Sequence, residues 1–269
     1  MIQRFYKICF LIGYTFFYCN GFGQQSTASK QVSTFEIEAP QLQTTKKIWV
    51  YLPKSYGTSS KKYPVIYMHD AQNLFDAKTS YVGEWNVDET LDSLSAEVIV
   101  IGIEHGNDKR LDQLTPYKNA KYGGGNGNNY LAFLVQNLKP FVDKTYRTQA
   151  DKKHTAIFGS SLGGLLSYYA VLKYPEVFGK AGIFSPSFWY SQDIYELTKK
   201  TKKLKAKIYF LCGDNEDAEM VPDLNKMVYL VDSIRCHCLA LNKTEIIKGG
   251  QHNEKLWREH FKQAYLWLF

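Results

Sequence analysis

The stretch that decides the fold is Thr155-Ala156-Ile157-Phe158-Gly159-Ser160-Ser161-Leu162-Gly163-Gly164. Its first four residues form a short apolar run typical of a buried strand, and the residues from Leu162 onward favour a helix. Between them the pattern G-x-S-x-G places Ser161 at a tight strand-to-helix turn, where glycines prevent collisions between the two backbones. Such a turn holds a serine hydroxyl at the N-terminus of a helix, where developing negative charge is stabilised.

Short apolar runs elsewhere in the chain predict further strands, at residues 35–38, 48–52, 63–68, 98–101, 181–184, 208–211 and 244–247. Helical patterns separate most of them, including residues 131–142, for which Asn129 is a candidate N-cap. Because strands that alternate with helices build βαβ units, we predict an α/β fold with a mostly parallel central sheet of about eight strands, flanked by helices. The first strands have no helix between them, so we expect an antiparallel N-terminal edge.

The composition of the 269 residues is that of a globular protein, with 45% hydrophobic and 22% charged residues. These values exclude wholesale disorder, collagen and coiled coil. The net charge of +7 is modest for this length and predicts no nucleic-acid partner. We interpret the lysine-rich run at 199–207 as a solvated helix end, with an anionic partner as the alternative.

The N-terminus has the features of a secretory signal peptide over residues 1–23. Arg4 and Lys7 give it a positive start, residues 8–18 are apolar, and Gly21-Phe22-Gly23 is a small-x-small cleavage site. The apolar stretch is too short for a membrane-spanning helix, which needs about 20 residues. We therefore expect an exported protein, periplasmic or secreted, with no membrane span.

This interpretation divides the rest of the chain into a polar segment at 24–34 and one globular domain at 35–269. A lipoprotein acylated on Cys19 is the alternative for the N-terminus. The bulky Phe17 and Tyr18 before that cysteine make a poor acylation motif.

Three cysteines remain after removal of the signal peptide, namely Cys212, Cys236 and Cys238. An odd number is a poor disulfide framework, although Cys212 could pair with either of the other two. The cluster Cys236-His237-Cys238 lacks the C-x-x-C spacing of a zinc site and a second ligand pair, so we predict no metal centre there.

A serine hydroxyl is a weak nucleophile until a base removes its proton. His252 follows the predicted strand 244–247, at the carboxyl edge of the sheet where open parallel sheets place their sites. His154 precedes its strand at the opposite edge, and His260 lies inside the last helix. His252 is therefore the predicted base.

The third member of a triad should lie between Ser161 and His252 and follow a strand. Three acids come directly after the strand 208–211, namely Asp214, Glu216 and Asp217. The chain order serine, acid, histidine is the order of the α/β-hydrolases. The residues alone leave the choice open, and Asp217 could equally cap the next helix.

Four stretches together carry a family resemblance: Tyr67 to Asp76, Gly159 to Gly164, Ser185-Pro186-Ser187-Phe188-Trp189, and Gly249 to Glu254 with Trp257. They resemble the putative-esterase group of α/β-hydrolases, which includes enterochelin, feruloyl and acetylxylan esterases of carbohydrate esterase family 1. The resemblance covers about residues 35–269. It implies an α/β-hydrolase fold and an activity that needs neither a metal nor an organic cofactor.

The resemblance also implies roles for individual residues. The backbone N–H groups of Leu162 and of Ala71 or Gln72 would form the oxyanion hole, although members of the family usually carry glycine where this chain has Ala71. In related feruloyl esterases the acid falls three residues after the glycine that ends the strand. That position is Glu216, which we therefore prefer to Asp214.

The sequence thus predicts a serine ester hydrolase that acts through an acyl-enzyme on a small-molecule or glycan ester. A siderophore ester and a feruloyl or acetyl ester on a polysaccharide are the expected substrates. Four residues on predicted loops are candidates for substrate contacts: Trp85, Arg110, Tyr117 and Trp189. The alternatives are an acyltransferase, since mycolyltransferases share the fold and triad, and a non-catalytic binding protein. The oligomeric state stays open.

Overall fold

The computed structural model describes residues 25–234 and 241–269. Within these residues, eight strands form one sheet. The strands are β1 (Val32–Ala39), β2 (Thr44–Tyr51), β3 (Val65–His69), β4 (Ile99–Ile103), β5 (Thr155–Ser160), β6 (Lys180–Phe184), β7 (Lys207–Gly213) and β8 (Asn242–Ile247). The predicted signal peptide, Cys19 and the cluster Cys236-His237-Cys238 lie outside the described residues.

The order of the sheet is β1-β2-β4-β3-β5-β6-β7-β8. β2 runs antiparallel to both β1 and β4, and every pairing from β4 to β8 is parallel. The prediction of a mostly parallel sheet with an antiparallel N-terminal edge is thereby confirmed. The central strands β3, β4 and β5 are buried along their whole length, which explains why their sequences are continuous apolar runs.

The helices are α1 (Val87–Ser93), α2 (Arg110–Gln113), α3 (Gly127–Phe133), α4 (Lys139–Thr145), α5 (Leu162–Lys173), α6 (Asp193–Lys200), α7 (Met220–Ser233) and α8 (Glu254–Leu268). A π-helical turn, Leu134–Leu138, joins α3 to α4. The predicted helix at 131–142 is thus present, but it begins at Gly127 and Asn129 lies inside it.

Two apolar clusters cover the two faces of the sheet. One holds the apolar sides of α3 to α7, and the other holds those of α1 and α8. The loops that follow β3, β5, β6, β7 and β8 all emerge at the carboxyl ends of the parallel strands, the edge where open parallel sheets place their sites.

The N-terminal polar segment is packed onto the domain. β1 begins at Val32, so the strand extends into the predicted segment 24–34. Ser26 donates a hydrogen bond to Asp76, and the N–H of Ser29 donates to Asp88. The segment therefore belongs to the same folded unit as the sheet.

Within the described ranges, no helix combines the length and the hydropathy that crossing a bilayer requires. Cys212 is buried in β7 and has no disulfide partner among the described residues. Its two predicted alternative partners fall in the undescribed stretch, so the disulfide stays a prediction.

Candidate active site

Ser161 occupies the turn between β5 and α5, with φ 56° and ψ −122°. A positive φ is costly for a residue with a Cβ, so its neighbours must hold it there. The N–H of Ser161 donates to the carbonyl of Phe184 over 3.0 Å. A Cβ at Gly159 would lie 2.6 Å from the carbonyl of Gly163, and one at Gly164 would lie 2.9 Å from that of Phe184. Backbone contacts therefore require glycine at Gly159 and Gly164, whereas a Cβ at Gly163, the second glycine of the motif, would meet only side-chain atoms of His69 and Asp70, at 3.3 Å or more.

His252 and Glu216 are in direct contact. His252 Nδ1 lies 2.6 Å from Glu216 Oε2, and the carboxylate is fully buried whereas the imidazole is 35% exposed. The other carboxylate oxygen, Oε1, accepts hydrogen bonds from the N–H of Gly213 and from Ser185 Oγ, both over 2.6 Å. The carboxylate is thus fixed from three directions and presents one oxygen to the imidazole.

The two competing acids have other partners. Asp214 Oδ1 accepts a hydrogen bond from the N–H of Gly249 over 2.6 Å. Asp217 Oδ1 accepts from the N–H groups of Glu219 and Met220 at the start of α7, as a capping acid does. Of the three candidates, the structure brings only Glu216 to His252.

Backbone hydrogen bonds join the loop that carries Glu216 to the loop that carries His252. The N–H of Asp214 donates to the carbonyl of Ile247, and the N–H of Asn215 donates to that of Gly250, each over 3.0 Å. A Cβ at Gly213 would collide with the carbonyl of Gly250. The acid and the base are therefore carried on two loops that are hydrogen-bonded to each other.

Three further residues, Trp257, Ser185 and Ser187, contact the proposed triad or its partners, and the sequence analysis gave them no role. Trp257 Nε1 donates to Ser185 Oγ over 2.8 Å, and its ring meets the imidazole of His252 edge-on at 5.2 Å. Ser187 Oγ lies 3.2 Å from Ser161 Oγ, and the N–H of Ser187 donates to the carbonyl of Ser161. The signal was present in the sequence, because all three residues belong to the stretches that carry the family resemblance.

The predicted oxyanion donors stand at the starts of two helical turns. Leu162 is the first residue of α5, and Ala71 and Gln72 are the first two of a 3-10 turn, Ala71–Asn73. The first N–H groups of a helix have no partner within it, so these three N–H groups have no acceptor in their own turns. Alanine is tolerated at position 71, where the family usually has glycine, for two reasons. The left-handed conformation, at φ 58°, falls on Asp70 and not on Ala71, and Gly102 leaves room for the alanine methyl.

Asp70 and Arg110 form a bidentate ion pair beside this turn. Arg110 Nε and one Nη donate to the two carboxylate oxygens, each over 2.8 Å. Burial by itself raises the pKa of Asp70, but the charge and hydrogen bonds of Arg110 outweigh it and hold that pKa below its usual value. Arg110 thus has a protein partner for its charge and fixes the residue before the predicted oxyanion donors.

A cavity of about 780 Å³ brings the site together. Ser161, His252, Gln72, Trp85 and Arg110 all line it, together with the exposed side chains of Tyr81 and Val82. Of the four predicted substrate contacts, Trp85 and Arg110 therefore face the cavity.

The other two predicted contacts are elsewhere among the described residues. Tyr117 packs edge-on against Tyr169, with ring centres 5.7 Å apart. Trp189 is 42% exposed and packs against Tyr122. Neither lines the cavity.

Two buried titratable groups at the cavity wall have shifted pKa values. Burial lowers the pKa of His69 to about 4, so this imidazole is neutral, with Nδ1 2.9 Å from the hydroxyl of Tyr130. Burial raises the pKa of Glu254, the first residue of α8. Neither residue was identified from the sequence as part of the site.

Comparison with known proteins places this arrangement in a family. The family described as Putative esterase matches residues 39–268. The chain is 29% identical over 237 residues to the uncharacterized protein YbbA of Bacillus subtilis (strain 168), covering 83% of this chain and 92% of that protein.

The relatives with named activities include the following two. The chain is 26% identical over 250 residues to an endo-1,4-beta-xylanase/feruloyl esterase of Xylanibacter ruminicola, covering 89% of this chain and 31% of that one. It is 30% identical over 156 residues to the ferri-bacillibactin esterase BesA of Bacillus subtilis (strain 168), covering 52% of each. The chain thus spans about a third and about half of these two proteins.

The fold also matches solved structures. The BES protein from Bacillus cereus superposes with a TM-score of 0.72 at 16% identity, covering 91% of this chain and 97% of that one. At this identity the match concerns the fold alone, and it agrees with the predicted α/β-hydrolase architecture. With the family match spanning nearly the whole described domain, the chain belongs to the Putative esterase family and is an ester hydrolase.

Proposed function

We propose that this protein is a serine carboxylic-ester hydrolase in which Ser161 is the nucleophile, His252 the general base and Glu216 the triad acid. The observation that carries the proposal is the 2.6 Å contact between His252 Nδ1 and a fully buried Glu216, beside the cavity that Ser161 also lines. A carboxylate on Nδ1 leaves Nε2 free to exchange protons with a serine and with a leaving alcohol.

The first half of the reaction forms the acyl-enzyme. Ser161 Oγ attacks the ester carbonyl while His252 Nε2 takes the hydroxyl proton, and Glu216 stabilises the resulting imidazolium. Collapse of the tetrahedral intermediate breaks the bond to the alcohol oxygen, which leaves with the proton returned by His252. In the second half, a water molecule loses its proton to His252 and attacks the acyl-enzyme, which releases the acid and restores Ser161.

The oxyanion of both intermediates would accept hydrogen bonds from the N–H of Leu162 and from that of Ala71 or Gln72. The support for these donors is that each residue lies in the first turn of its helical segment, where N–H groups have no partner within the segment. Each donor of this kind contributes about 3–4 kcal/mol to the transition state. The ion pair of Asp70 with Arg110 would keep the second turn in position.

The substrate we propose is a siderophore ester or a feruloyl or acetyl ester on a polysaccharide. The named relatives support these two classes, and the cavity offers an apolar wall at Trp85 and Tyr81 with polar groups at Gln72. Hydrolysis by a purified protein of a panel that holds both classes would identify the substrate. Transfer to an added alcohol in preference to water would instead favour the acyltransferase alternative.

The assignment of the nucleophile is tested with a fluorophosphonate probe, which bonds covalently to activated serines. We expect wild-type protein and Ser160→Ala to be labelled and Ser161→Ala to be unlabelled and inactive. Labelling that persists in Ser161→Ala would overturn the assignment, and an unlabelled, inactive wild type would favour the non-catalytic alternative.

We further propose that the protein is exported, with removal of residues 1–23. The positive start, the short apolar stretch and the Gly-x-Gly site support this proposal. Mass spectrometry of protein from its native host should find an N-terminus near Gln24. An intact Met1 would contradict export by this route, and a lipid on Cys19 would support the lipoprotein alternative.

A further inference from the structure

Lysines collect at the amino edge of the sheet, opposite the edge that carries Ser161 and His252. The lysine-rich run at 199–207 leaves α6 at Lys200 and enters β7 at Lys207. Further lysines precede or begin the two strands beside β7. Because β5, β6 and β7 are parallel neighbours, their starts lie at one edge of the sheet. The six lysines at these three starts are Lys152, Lys153, Lys180, Lys203, Lys205 and Lys207.

Backbone contacts hold these lysine-bearing segments together. The N–H of Lys207 donates to the carbonyl of Gly179 over 2.8 Å, and a Cβ at Gly179 would collide with the backbone of Lys152. Lys152, Lys203 and Lys205 line one small cavity of about 70 Å³. Lysines that are far apart in the chain therefore form one continuous basic surface, which we call the amino-edge patch.

The amino-edge patch carries more positive charge than the acids nearby can balance. Within the described ranges, none of its six lysines forms an ion pair with a carboxylate. Two acids lie on the same connecting segments, Asp151 and Glu176, and Asp151 already contacts His154. Burial and the adjacent charge of Lys207 lower the pKa of Lys180 to about 8. An anionic surface placed against the patch would offset this repulsion.

Aromatic rings stand beside these lysines, because α8 ends at the same edge with Leu268. Lys180 Nζ lies 3.9 Å from the centre of the Phe269 ring, and Lys207 Nζ lies 4.4 Å from that of Trp267. Phe269 is 37% exposed. Aromatic rings favour the headgroup level of a bilayer, and long lysine side chains reach from there to lipid phosphates. The patch thus combines the two kinds of side chain that a membrane interface binds.

We infer that the amino-edge patch is a docking surface for a bilayer that contains anionic phospholipids. Each basic side chain near such a surface strengthens binding by about five-fold, and clusters of roughly this size attach proteins reversibly to anionic membranes. The cations of the patch are all lysines, point charges that suit a field of mobile phosphates, whereas bidentate recognition of an ordered phosphate favours arginine. Docking by this edge turns the cavity at Ser161 away from the membrane and toward solvent.

The test is sedimentation of the full chain with two kinds of vesicle, one of phosphatidylcholine alone and one of equal parts phosphatidylcholine and phosphatidylglycerol. At about 0.1 M salt we expect binding to the anionic vesicles only, with release at about 0.5 M salt, where surface charges are screened. The double variant Lys203→Gln/Lys205→Gln should bind at least ten-fold more weakly, since it loses two charges of the patch.

The matched control is Lys118→Gln/Lys121→Gln, which removes the same charge from the opposite edge. These two lysines flank Asn119, whose side chain donates to the carbonyl of Tyr190 in the segment after β6. The control should bind anionic vesicles as the wild type does. All four substituted lysines are exposed, so both double variants should fold, and equal melting temperatures verify this.

Three results would overturn the inference. The first is a wild type that sediments with neither kind of vesicle, or equally with both. The second is an equal loss of binding in the two double variants, which would show that net charge and not the patch attracts the protein. The third is tighter binding to duplex DNA than to anionic vesicles matched in phosphate, which would assign the lysines to a nucleic acid instead. Ester hydrolysis is not the readout, so failure here leaves the catalytic proposal untouched.

Discussion

Ser185 Oγ donates a hydrogen bond to Glu216 Oε1 over 2.6 Å, which ties the loop after β6 to the carboxylate that contacts His252. The same loop contacts the proposed nucleophile, because Ser187 Oγ lies 3.2 Å from Ser161 Oγ. One short loop therefore contacts both ends of the proposed triad, Ser161 and Glu216. Trp257 donates to Ser185 and packs edge-on against His252, so the last helix, α8, also contacts this loop and the proposed base.

The first prediction concerns Ser185. Ser185→Ala removes one of three hydrogen bonds to the carboxylate of Glu216 and the acceptor of Trp257 Nε1. A hydrogen bond to a charged group contributes about 1.5 kcal/mol or more, so we expect kcat to fall by roughly ten-fold. Steady-state kinetics on a simple ester measures kcat, and Ser233→Ala, at an exposed serine, is the control. An unchanged kcat would show that Gly213 and His252 hold the carboxylate unaided.

The second prediction concerns the pair of Asp70 and Arg110. Arg110→Gln leaves a buried carboxylate without its counter-charge, which costs about 3–5 kcal/mol in a fully buried pair. Because the side chain of Arg110 is 29% exposed, we expect a loss of unfolding free energy near the lower limit, with a lower kcat from a misplaced oxyanion turn. Urea denaturation measures the first effect. The double variant with Asp70→Asn should recover part of the stability, and strictly additive losses would contradict the coupling.

The third prediction concerns the pH dependence of stability. Burial lowers the pKa of His69 from 6.5 to about 4, so between these values the unfolded chain binds a proton that the folded chain does not. The contribution of this residue to unfolding free energy is therefore complete above pH 6.5 and is lost as the pH falls toward 4. For one proton the slope reaches about 1.4 kcal/mol per pH unit.

His69→Gln should flatten this part of the stability curve, whatever its effect on stability at pH 7. The control is His154→Gln, because His154 lies on the surface with a 42% exposed side chain. Chemical denaturation of the wild type and of both variants at pH 4.5, 5.5 and 6.5 gives, for each protein, the slope of unfolding free energy against pH. Equal slopes in the wild type and His69→Gln would show that other groups account for acid sensitivity.

The sequence predicted the sheet and the neighbourhood of the nucleophile because both depend on local patterns. Buried strands are continuous apolar runs, and the turn at Ser161 needs a glycine at Gly159 because a Cβ there would collide with the backbone of Gly163. His252 followed from a topological rule, since the strand before it ends at the same edge of the sheet. The structure brings these two residues to one cavity for that reason.

The contacts of residues on long loops depend on the three-dimensional path of each loop, which short sequence patterns do not specify. Tyr117 and Trp189 were expected near the substrate, but their loops carry them to Tyr169 and Tyr122. Arg110 was recognised as a charge at the site, but its partner Asp70 lies 40 positions earlier in the chain.

The last prediction concerns the triad acid, for which the sequence left three candidates: Asp214, Glu216 and Asp217. Glu216→Gln should lower kcat by roughly 10²–10⁴, because an amide can present a donor to His252 Nδ1, favour the wrong tautomer and leave the imidazolium without a counter-charge. Asp214→Asn should retain most activity, because its amide oxygen can still accept the hydrogen bond from Gly249.

Asp217→Asn removes only a capping charge from α7, for which we expect a loss of about 1 kcal/mol of stability at most and little change in rate. All three variants should be compared by kcat and by melting temperature, so that a folding defect is not mistaken for a catalytic one. The ordering follows from geometry: Glu216 is three residues past Gly213, and the hydrogen bond from that N–H turns its carboxylate back toward the sheet and His252. If Asp214→Asn abolishes turnover while Glu216→Gln retains it, the contact with His252 is structural and the proposed triad is wrong.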